Sequence, residues 1–531
     1  MTRPTTTGKA QDLITFTRST TGTALAKISY GEELVTNGTE WTGASGTTPP
    51  TGWTSSGIRP NYAVVDGTLS VNPTSNIWTG YAITGLVIGK SYQITGEYKS
   101  GGAGGSVYLR IANSVGANAG DSYFAKDTSS TDWTTEQSTF TPTATTVYVS
   151  IGVSQNKFGY FDNVSVKEVS FDQPDGTLQL FNHPINKPRI EYDASGNCLG
   201  LLMEEARTNL LAYSGDIGAW VGSVGSTTNV TLTENALTAP DGTQTADKVQ
   251  RTVLDTETDY RQTKSVVSGN DYTFSIFAKA DVQARLELDF SNSKFSSADY
   301  VKFDVDTGTA YASGNGATYS VTDYGNGWYR FSLTATCTSS GDTGVIVRII
   351  NNEPHYAWGA QLEQGSFPTS YIPTSGSAVT RADDLASLAV SKFGYNQDQG
   401  SVVVESNFFG GTNTSALCYI GEDTSDRIVL YYSNQNLNFQ VRSNGVSQAS
   451  ENLSGQRNKA AFRYKLNDIV LAGDGSITST DTAANLLGGT QNNIYIGSYY
   501  HNAGAHLNGH IKSIKYYPVG LSNAQLQALT V

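Results

Sequence analysis

Hydrophobic and polar residues alternate along this chain in short runs separated by Gly, Asn and Ser. Tyr92-Gln93-Ile94-Thr95-Gly96-Glu97-Tyr98 and Tyr272-Thr273-Phe274-Ser275-Ile276-Phe277 are two such runs; Ser401-Val402-Val403-Val404-Glu405 and Asn493-Ile494-Tyr495-Ile496-Gly497 are two more. Side chains on a strand point alternately to opposite faces, so this rhythm predicts half-buried strands. Their recurrence roughly every ten residues indicates β-sandwiches. Helical periodicity is nearly absent. The best helical stretch is 521–529, where Ser522 is placed to cap the first turn and Leu526 and Leu529 share a face.

The pattern repeats. Gly89-Lys90-Ser91-Tyr92 leads a strand ending at Lys99, and Gly269-Asn270-Asp271-Tyr272 leads one ending at Lys279. Asp132-Trp133 opens a run that ends at 147–151, and Gly327-Trp328 opens one that ends at 345–349. Each unit closes on an aromatic strand, 159–164 or 355–359, and each opens with an Asn near a Trp, Asn37 with Trp41 and Asn209 with Trp220. Two copies of one sandwich, 31–170 and 208–370, account for this economically, the second with a longer middle. Trp133, Trp328 and Trp358 fall at repeat-equivalent or strand positions and are expected in the cores. Residues 171–207 form a different segment between the copies, and 371–384 read as a linker. Pro368 and Pro373 favour extended backbone there and forbid a central strand. The remaining residues, 385–531, have a strand rhythm of their own.

Composition narrows the function classes. Of 531 residues only 15% are charged, while 30 Tyr, 19 Phe and 7 Trp are enough for several cores, unlike a disordered chain. A net charge of −13 argues against coating nucleic acid, which needs a basic face, and against anionic membranes. No apolar run approaches the ~18 residues a bilayer span needs, so no membrane insertion is expected. The start MTRPTTTGKAQDLITF has no apolar core of the kind a cleavable signal carries. Cys198, Cys337 and Cys418 lie too far apart in sequence for a CxxC pair and suggest no disulfide framework.

Several segments carry a resemblance. ELVTNGTEW, TGW, GKSYQITGEYKSG and GYFDNVSVKEV resemble the carbohydrate-binding jelly-roll module often found in phage particle proteins. ITFTRSTTGTAL and PRIEYDASGNCLGLLMEEARTNLL resemble a paired signature of bacteriophage structural and tail-fibre proteins, and WGAQLEQGSFPTSYIPTSGSAVTRADD is similar to the end of that signature's sandwich. HLNGHIKSIKYYPVGLSNAQLQALT resembles the last strand and terminal turn of a concanavalin A-like, laminin-G-type sandwich. In the family the FTR segment runs on to PRI-x-Y-D after a short spacer; here Arg18 and Arg189 are separated by a whole sandwich. The first jelly roll therefore reads as an insertion, with residues 12–30 pairing with parts of 175–205.

Candidate chemistry follows from residue types. Sugar C–H faces stack on aromatic rings, while amides and carboxylates read hydroxyls. Trp53, Trp78 and Tyr81, set among Thr, Ser and Gly, are candidates in the first sandwich, and Tyr499, Tyr500 and His501, in a loop with Asn502, in the last. The same rings could instead pack loop bases or a neighbouring subunit. The module resemblance implies a structural calcium ion at Glu40 and Asp162, although the family's acid before Glu40 is Thr39 here. His501, His506 and His510 are too loosely spaced for zinc. Glu287 and Asp289 alternate as in a glycosidase strand but lack the closing Glu, and read as solvent-facing. No GxSxG, HExxH or P-loop is present. The cluster Glu204-Glu205-Ala206-Arg207 suggests no catalysis; it could pair with Arg189, Arg18 or a neighbouring subunit, or form ordinary surface salt bridges, and fits an assembly or inter-domain role.

The expectation is an all-β protein of three β-sandwiches in series, two jelly rolls and one concanavalin A-like sandwich. The segments are an N-terminal attachment segment 1–30, the inserted jelly roll 31–170, a connector 171–207, the second jelly roll 208–370, the linker 371–384 and the terminal sandwich 385–531. The resemblance implies a bacteriophage virion surface protein of tail-fibre, spike or head-appendage type that attaches to a host cell-surface glycan. It implies a homotrimer among other virion proteins, with no enzyme activity and no required cofactor. A structural decoration or connector protein without glycan binding is the alternative, and a polysaccharide depolymerase a third.

Overall fold

The computed structural model describes residues 14–56, 60–102, 104–173, 175–220, 229–253, 258–291, 294–296, 299–314, 317–409, 414–486, 489–499 and 505–531. Strands dominate, and the fold class is all-β with several sandwich-type sheets. Among the described residues Asn523–Thr530 is the one α-helix, and no helix is long and apolar enough to cross a membrane. Ser522 caps it as expected: its hydroxyl accepts from the Gln525 N–H, and the Gln525 side chain accepts from the Ser522 N–H. The chain divides into two compact units, Lys27–Pro184 and Met1–Ala26 with Ile185–Val531.

The unit Lys27–Pro184 is a two-sheet sandwich. One sheet runs in the order Trp53–Ser55, Ile77–Thr84, Thr146–Val153, Val107–Ala112, Ser122–Thr128. The other runs Thr134–Phe140, Ser91–Ser100, Gly159–Phe171, Gly22–Glu33, Thr177–His183, with the hairpin Pro60–Val65 and Thr68–Pro73 attached to Gly159–Phe171. Trp41, Tyr98, Val149 and Phe161 fill the core between them. Gly22–Glu33 lies beside Thr177–His183, as the expected pairing of 12–30 with parts of 175–205 requires.

Among the described residues the larger unit holds two further large cores and a smaller cluster under Asn523–Thr530. The first lies in a sandwich whose sheets run Val230–Leu237, Ala246–Arg251, His355–Gln364, Asp271–Ala280, Trp328–Thr336, Thr318–Gly325 and Asp259–Val266, Gly341–Ile349, Arg285–Phe290, Tyr300–Asp304, Thr309–Ser313. The repeat is visible in this order. Ser91–Ser100 sits between Thr134–Phe140 and Gly159–Phe171, as Asp271–Ala280 sits between Trp328–Thr336 and His355–Gln364. Even the turn is copied: the Val87 N–H donates to the Tyr92 hydroxyl at 3.0 Å, and the Val267 N–H to the Tyr272 hydroxyl at 3.0 Å. Gly89 (φ 88°) and Gly269 (φ 84°) supply the left-handed backbone that this turn needs.

The terminal sandwich draws on three separate stretches of the chain. One sheet runs Thr15–Thr17, Leu385–Ala389, Asn493–Ile496, Ser415–Gly421, Arg427–Ser433, Asn436–Ser443, Val446–Leu453; the other Ile190–Tyr192, Cys198–Met203, Gly509–Tyr517, Gln399–Phe408, Lys459–Lys465, Val470–Gly473, Ser476–Ile477. Phe16, Leu201 and Met203 enter its core. The stretches read as an attachment segment and a connector thus supply three of its strands. The linker reading of 371–384 also gives way: Tyr371 and Ile372 are buried, Tyr371 lies 4.7 Å from the Trp358 ring, and Val379–Arg381 pairs with Arg207–Asn209. Pro368 and Pro373 keep only the backbone around them out of a sheet, and not out of the interior.

These segments meet in a buried charge cluster. Arg18 pairs with Asp384 at 3.0 Å, Arg189 with Glu204 at 2.8 Å and also with Asp384, and Arg381 with Glu204 at 3.4 Å. Ser370 donates to Glu204 through its N–H and its hydroxyl, each at 2.7 Å, and Arg189 donates to the Thr23 carbonyl at 2.9 Å. Burial alone would push the Glu204 carboxyl up. Arg381, Arg189 and the Ser370 hydrogen bonds outweigh it and hold the carboxyl well below the usual range. Burial and the nearby Arg189 lower Arg18 to about 10 despite Asp384. Every one of these five ionic residues lies in the FTR, PRI, EEAR or TRADD segments.

Candidate functional site

Strand Ile77–Thr84 sends Ile77 and Ile83 into the core, so Trp78, Gly80 and Ala82 face outward. Across the sheet Trp78 stands opposite Gly152, and Gly152 opposite Tyr108. With no side chain at Gly152, the Trp78 and Tyr108 rings approach to 5.4 Å between centroids; a Cβ there would stand 2.6 Å from the indole. Arg110 lies 4.4 Å from the Trp78 ring centroid, and its guanidinium is fixed by donating to the Ala117 carbonyl at 2.5 Å. Tyr148 and Ser150 share this outer face, and Ser150 accepts from the Gly116 N–H at 3.2 Å. Trp78, Tyr108 and Tyr148 are half-buried, so each keeps part of its ring at the surface. Two rings beside a fixed cation and hydroxyls can hold the C–H face of a sugar and read its hydroxyls.

Trp53 and Tyr81 do not join them. Trp53 is 4% exposed, 5.4 Å from Trp41 and 5.5 Å from Tyr81, and its indole N–H donates to the Asn37 carbonyl at 3.2 Å. Tyr81 shares a 2.8 Å hydrogen bond with the Thr36 hydroxyl. Strand Trp53–Ser55 pairs Trp53 opposite Tyr81 on the core side, which polar sequence neighbours concealed.

Glu40 is exposed, while Asp162 Oδ1 accepts from the Asn163 N–H at 2.8 Å and from the Trp41 indole at 3.4 Å. An oxygen already facing two N–H donors is poorly set to face a cation, and no group of three or more His, Cys, Asp or Glu among the described residues could hold a metal. These residues do not fit a calcium cage.

Trp133 was expected in the core and is 37% exposed. It sits one residue before strand Thr134–Phe140, whereas its repeat equivalent Trp328 is inside a strand and 4% exposed. The Lys99 ammonium lies 4.8 Å from the Trp133 centroid and 5.5 Å from that of Tyr160, and Phe158 packs edge-on to Tyr160 at 5.8 Å. This aromatic patch was missed because the repeat was read as fixing burial. Trp358 is 4% exposed, as expected.

In the terminal sandwich Tyr499 meets Tyr419 at 5.4 Å, Tyr431 at 6.2 Å and Arg427 at 5.8 Å. Burial pushes the Tyr499 hydroxyl up. Tyr500 and His501 lie outside the described residues. His506 is buried 3.2 Å from Asp383, and His510 2.7 Å from Glu191, so these two histidines serve separate carboxylates. Glu287 and Asp289 are not solvent-facing. Arg348, opposite Glu287 on the next strand, pairs with Glu287 at 2.6 Å and Asp289 at 2.7 Å, and closes over both.

No protein-family model and no curated protein matches this chain. Among solved structures, it is similar to the CBM40 module of a Ruminococcus gnavus IT-sialidase bound to alpha2,3 sialyllactose, at 14% identity and a TM-score of 0.23, over 26% of this chain and 84% of that one. The tandem CBM22-1–CBM22-2 domain of Paenibacillus barcinonensis Xyn10C is 12% identical at a TM-score of 0.20, over 64% of this chain and 99% of that one. Domains LG4-5 of the mouse laminin alpha1 chain are 10% identical at a TM-score of 0.19, over 56% and 92%.

Proposed function

We propose that this chain is a bacteriophage virion surface protein, of tail-fibre, spike or head-appendage type, that uses its sandwich faces to attach to host cell-surface glycans. The observation that carries glycan attachment is the pair of half-exposed rings, Trp78 and Tyr108, brought together over Gly152 beside Arg110. The phage setting is supported by the paired signature segments, whose charged residues converge in one buried cluster. A single such face binds weakly. A homotrimer, carried in several copies on a particle with other virion proteins, would turn weak contacts into firm attachment through effective concentration. The proposal assigns the chain no hydrolysis.

The test is retention of the purified protein on a panel of bacterial surface polysaccharides, with release of reducing ends measured in parallel. Retention without release is expected, and Trp78→Ala should weaken it by about tenfold, the worth of one stacked ring. Retention indifferent to Trp78→Ala and Tyr108→Ala would remove this face from the reading. Release of reducing ends would replace attachment by depolymerisation. No retention on any polysaccharide would favour a decoration protein.

A further inference from the structure

The bigger unit holds a cleft that none of the residues discussed for attachment lines. Its volume is about 710 Å3, and it is lined by residues 191–195, 318–324 and 366–370 together with Arg330, Asn407, Phe409 and His510. That volume falls within the usual range for small-molecule sites. Two sheet edges border it. Thr318–Gly325 pairs only with Trp328–Thr336, and Ile190–Tyr192 only with Cys198–Met203, among the described residues. An edge strand presents main-chain N–H and C=O groups on its open side. The edges converge at one end, where a Cβ on Gly325 would lie 3.9 Å from the Ala194 carbonyl oxygen.

The lining has a definite chemical character. Phe409 is 37% exposed, so aromatic surface is available at the rim; Tyr319 stands opposite Leu333 and packs edge-on to Phe303 at 6.0 Å, on the core side of strand Thr318–Gly325. Thr318, Ser320 and Thr322 add a row of hydroxyls along the same strand. The charge is one-sided. Asp323 accepts from the Gly325 N–H at 2.7 Å, and Asp193 from the Asn197 N–H at 2.8 Å and its amide at 2.9 Å, so both carboxylates are held by their own turns. Glu191 is held by His510 at 2.7 Å. Of the described lining residues Arg330 is the one permanent cation, and it is spent on the Ser275 hydroxyl at 2.9 Å and the Thr369 carbonyl at 2.6 Å.

We propose that this cleft is a second saccharide site, for neutral or amine-bearing sugars, from which acidic sugars are excluded by Asp193 and Asp323. An aromatic rim, aligned hydroxyls and open strand edges suit a polyhydroxylated chain. The acid excess suits an amino group and opposes a carboxylate or phosphate. The inference rests on the glycan-attachment reading but concerns a different surface.

Calorimetric titration of the whole protein with three matched hexamers tests it: maltohexaose, a chitosan hexamer and a hexagalacturonate, at low salt. Binding should rank chitosan hexamer first, maltohexaose next and hexagalacturonate last. Phe409→Ala should weaken the first two by about tenfold, and Asp323→Asn should reduce the preference for the amine while sparing maltohexaose. Melting curves check that both variants fold, and Trp78→Ala serves as the control for the outer face. Hexagalacturonate binding as tightly as the others, indifference to both cleft variants, or no binding of any hexamer would each overturn the cleft site. Polysaccharide retention that depends on Trp78 but not on Phe409 would do so while leaving the attachment reading intact.

Discussion

At the scale of single residues, Arg189 and His355 show opposite ways of burying a charge-capable group. Arg189 is wholly buried and held by Glu204, Asp384, the Ser370 hydroxyl and the Thr23 carbonyl. Removing it takes a buried partner from both carboxylates, leaving Glu204 to Arg381 and Asp384 to Arg18, and opens a cavity the size of its side chain. Arg189→Ala should therefore destabilise the larger unit by about 3–5 kcal/mol, read as a shifted urea midpoint. His355 is buried neutral against the Tyr260 hydroxyl at 3.0 Å, and burial lowers its pKa to about 4. The unfolded value lies near 6.5, so protonation favours the unfolded chain. The stability is whole above pH 6.5 and is lost as pH falls toward about 4, by an amount on the order of 3 kcal/mol. Urea titrations across that range should show the slope in the wild type and a flatter profile in His355→Gln. Sequence could name Arg18 and Arg189 as partners for the Glu204 segment but not Arg381 or Asp384, and Glu204 gave no sign of full burial. Nor did Glu287 and Asp289 reveal that Arg348 covers them, since cross-strand partners depend on register.

At the scale of elements, alternation did most of the work. It located the strands that hold Tyr92 and Tyr272, and local capping chemistry located the cap at Ser522. Trp53 was misjudged by attending to its polar neighbours, and Trp133 by attending to the repeat; each lies near a strand end, where one residue decides between core and solvent. Gly152 is an element-level device whose role no local pattern announces. Gly152→Val would drive a side chain into the Trp78 ring and should cost about 1–3 kcal/mol, with a changed Trp78 environment by fluorescence. If the melting point and emission both stay at wild-type values, Gly152 is not what sets the two rings.

At the scale of the molecule, the two units differ in how much of the chain they need. Lys27–Pro184 is continuous, and its flanking strands Gly22–Glu33 and Thr177–His183 are neighbours in one sheet. Joining Ala26 to Ile185 through a short Gly-Ser link should leave the larger unit folded, with the melting transition of the remaining sandwiches preserved. Loss of that transition would mean the inserted sandwich supports the rest. The converse deletion, of residues 1–21, should be harsh: it removes Phe16 from the core, Arg18 from the cluster and the edge strand beside Leu385–Ala389. Increased aggregation alongside a lowered transition is expected. The split signature was legible as an insertion, because the family spacing was broken at one place. Its destination in the terminal sandwich was not, since strands as short as Thr15–Thr17, Ile190–Tyr192 and Cys198–Met203 carry too little pattern to choose a partner sheet.

The cluster of Arg18, Arg189, Glu204, Arg381 and Asp384 also sets a timetable. Its first member is made early in translation and its last only after Asp384, so Arg18 must wait for most of the chain. The inserted sandwich can fold in the meantime, as a domain does once its own residues have emerged. By drawing its two ends together it turns a loop of about 170 residues into one of about ten, a saving of roughly 2 kcal/mol in closure entropy. The intervening sandwich thereby becomes a splint for its host. A chain in which it folds late should assemble its terminal sandwich late as well.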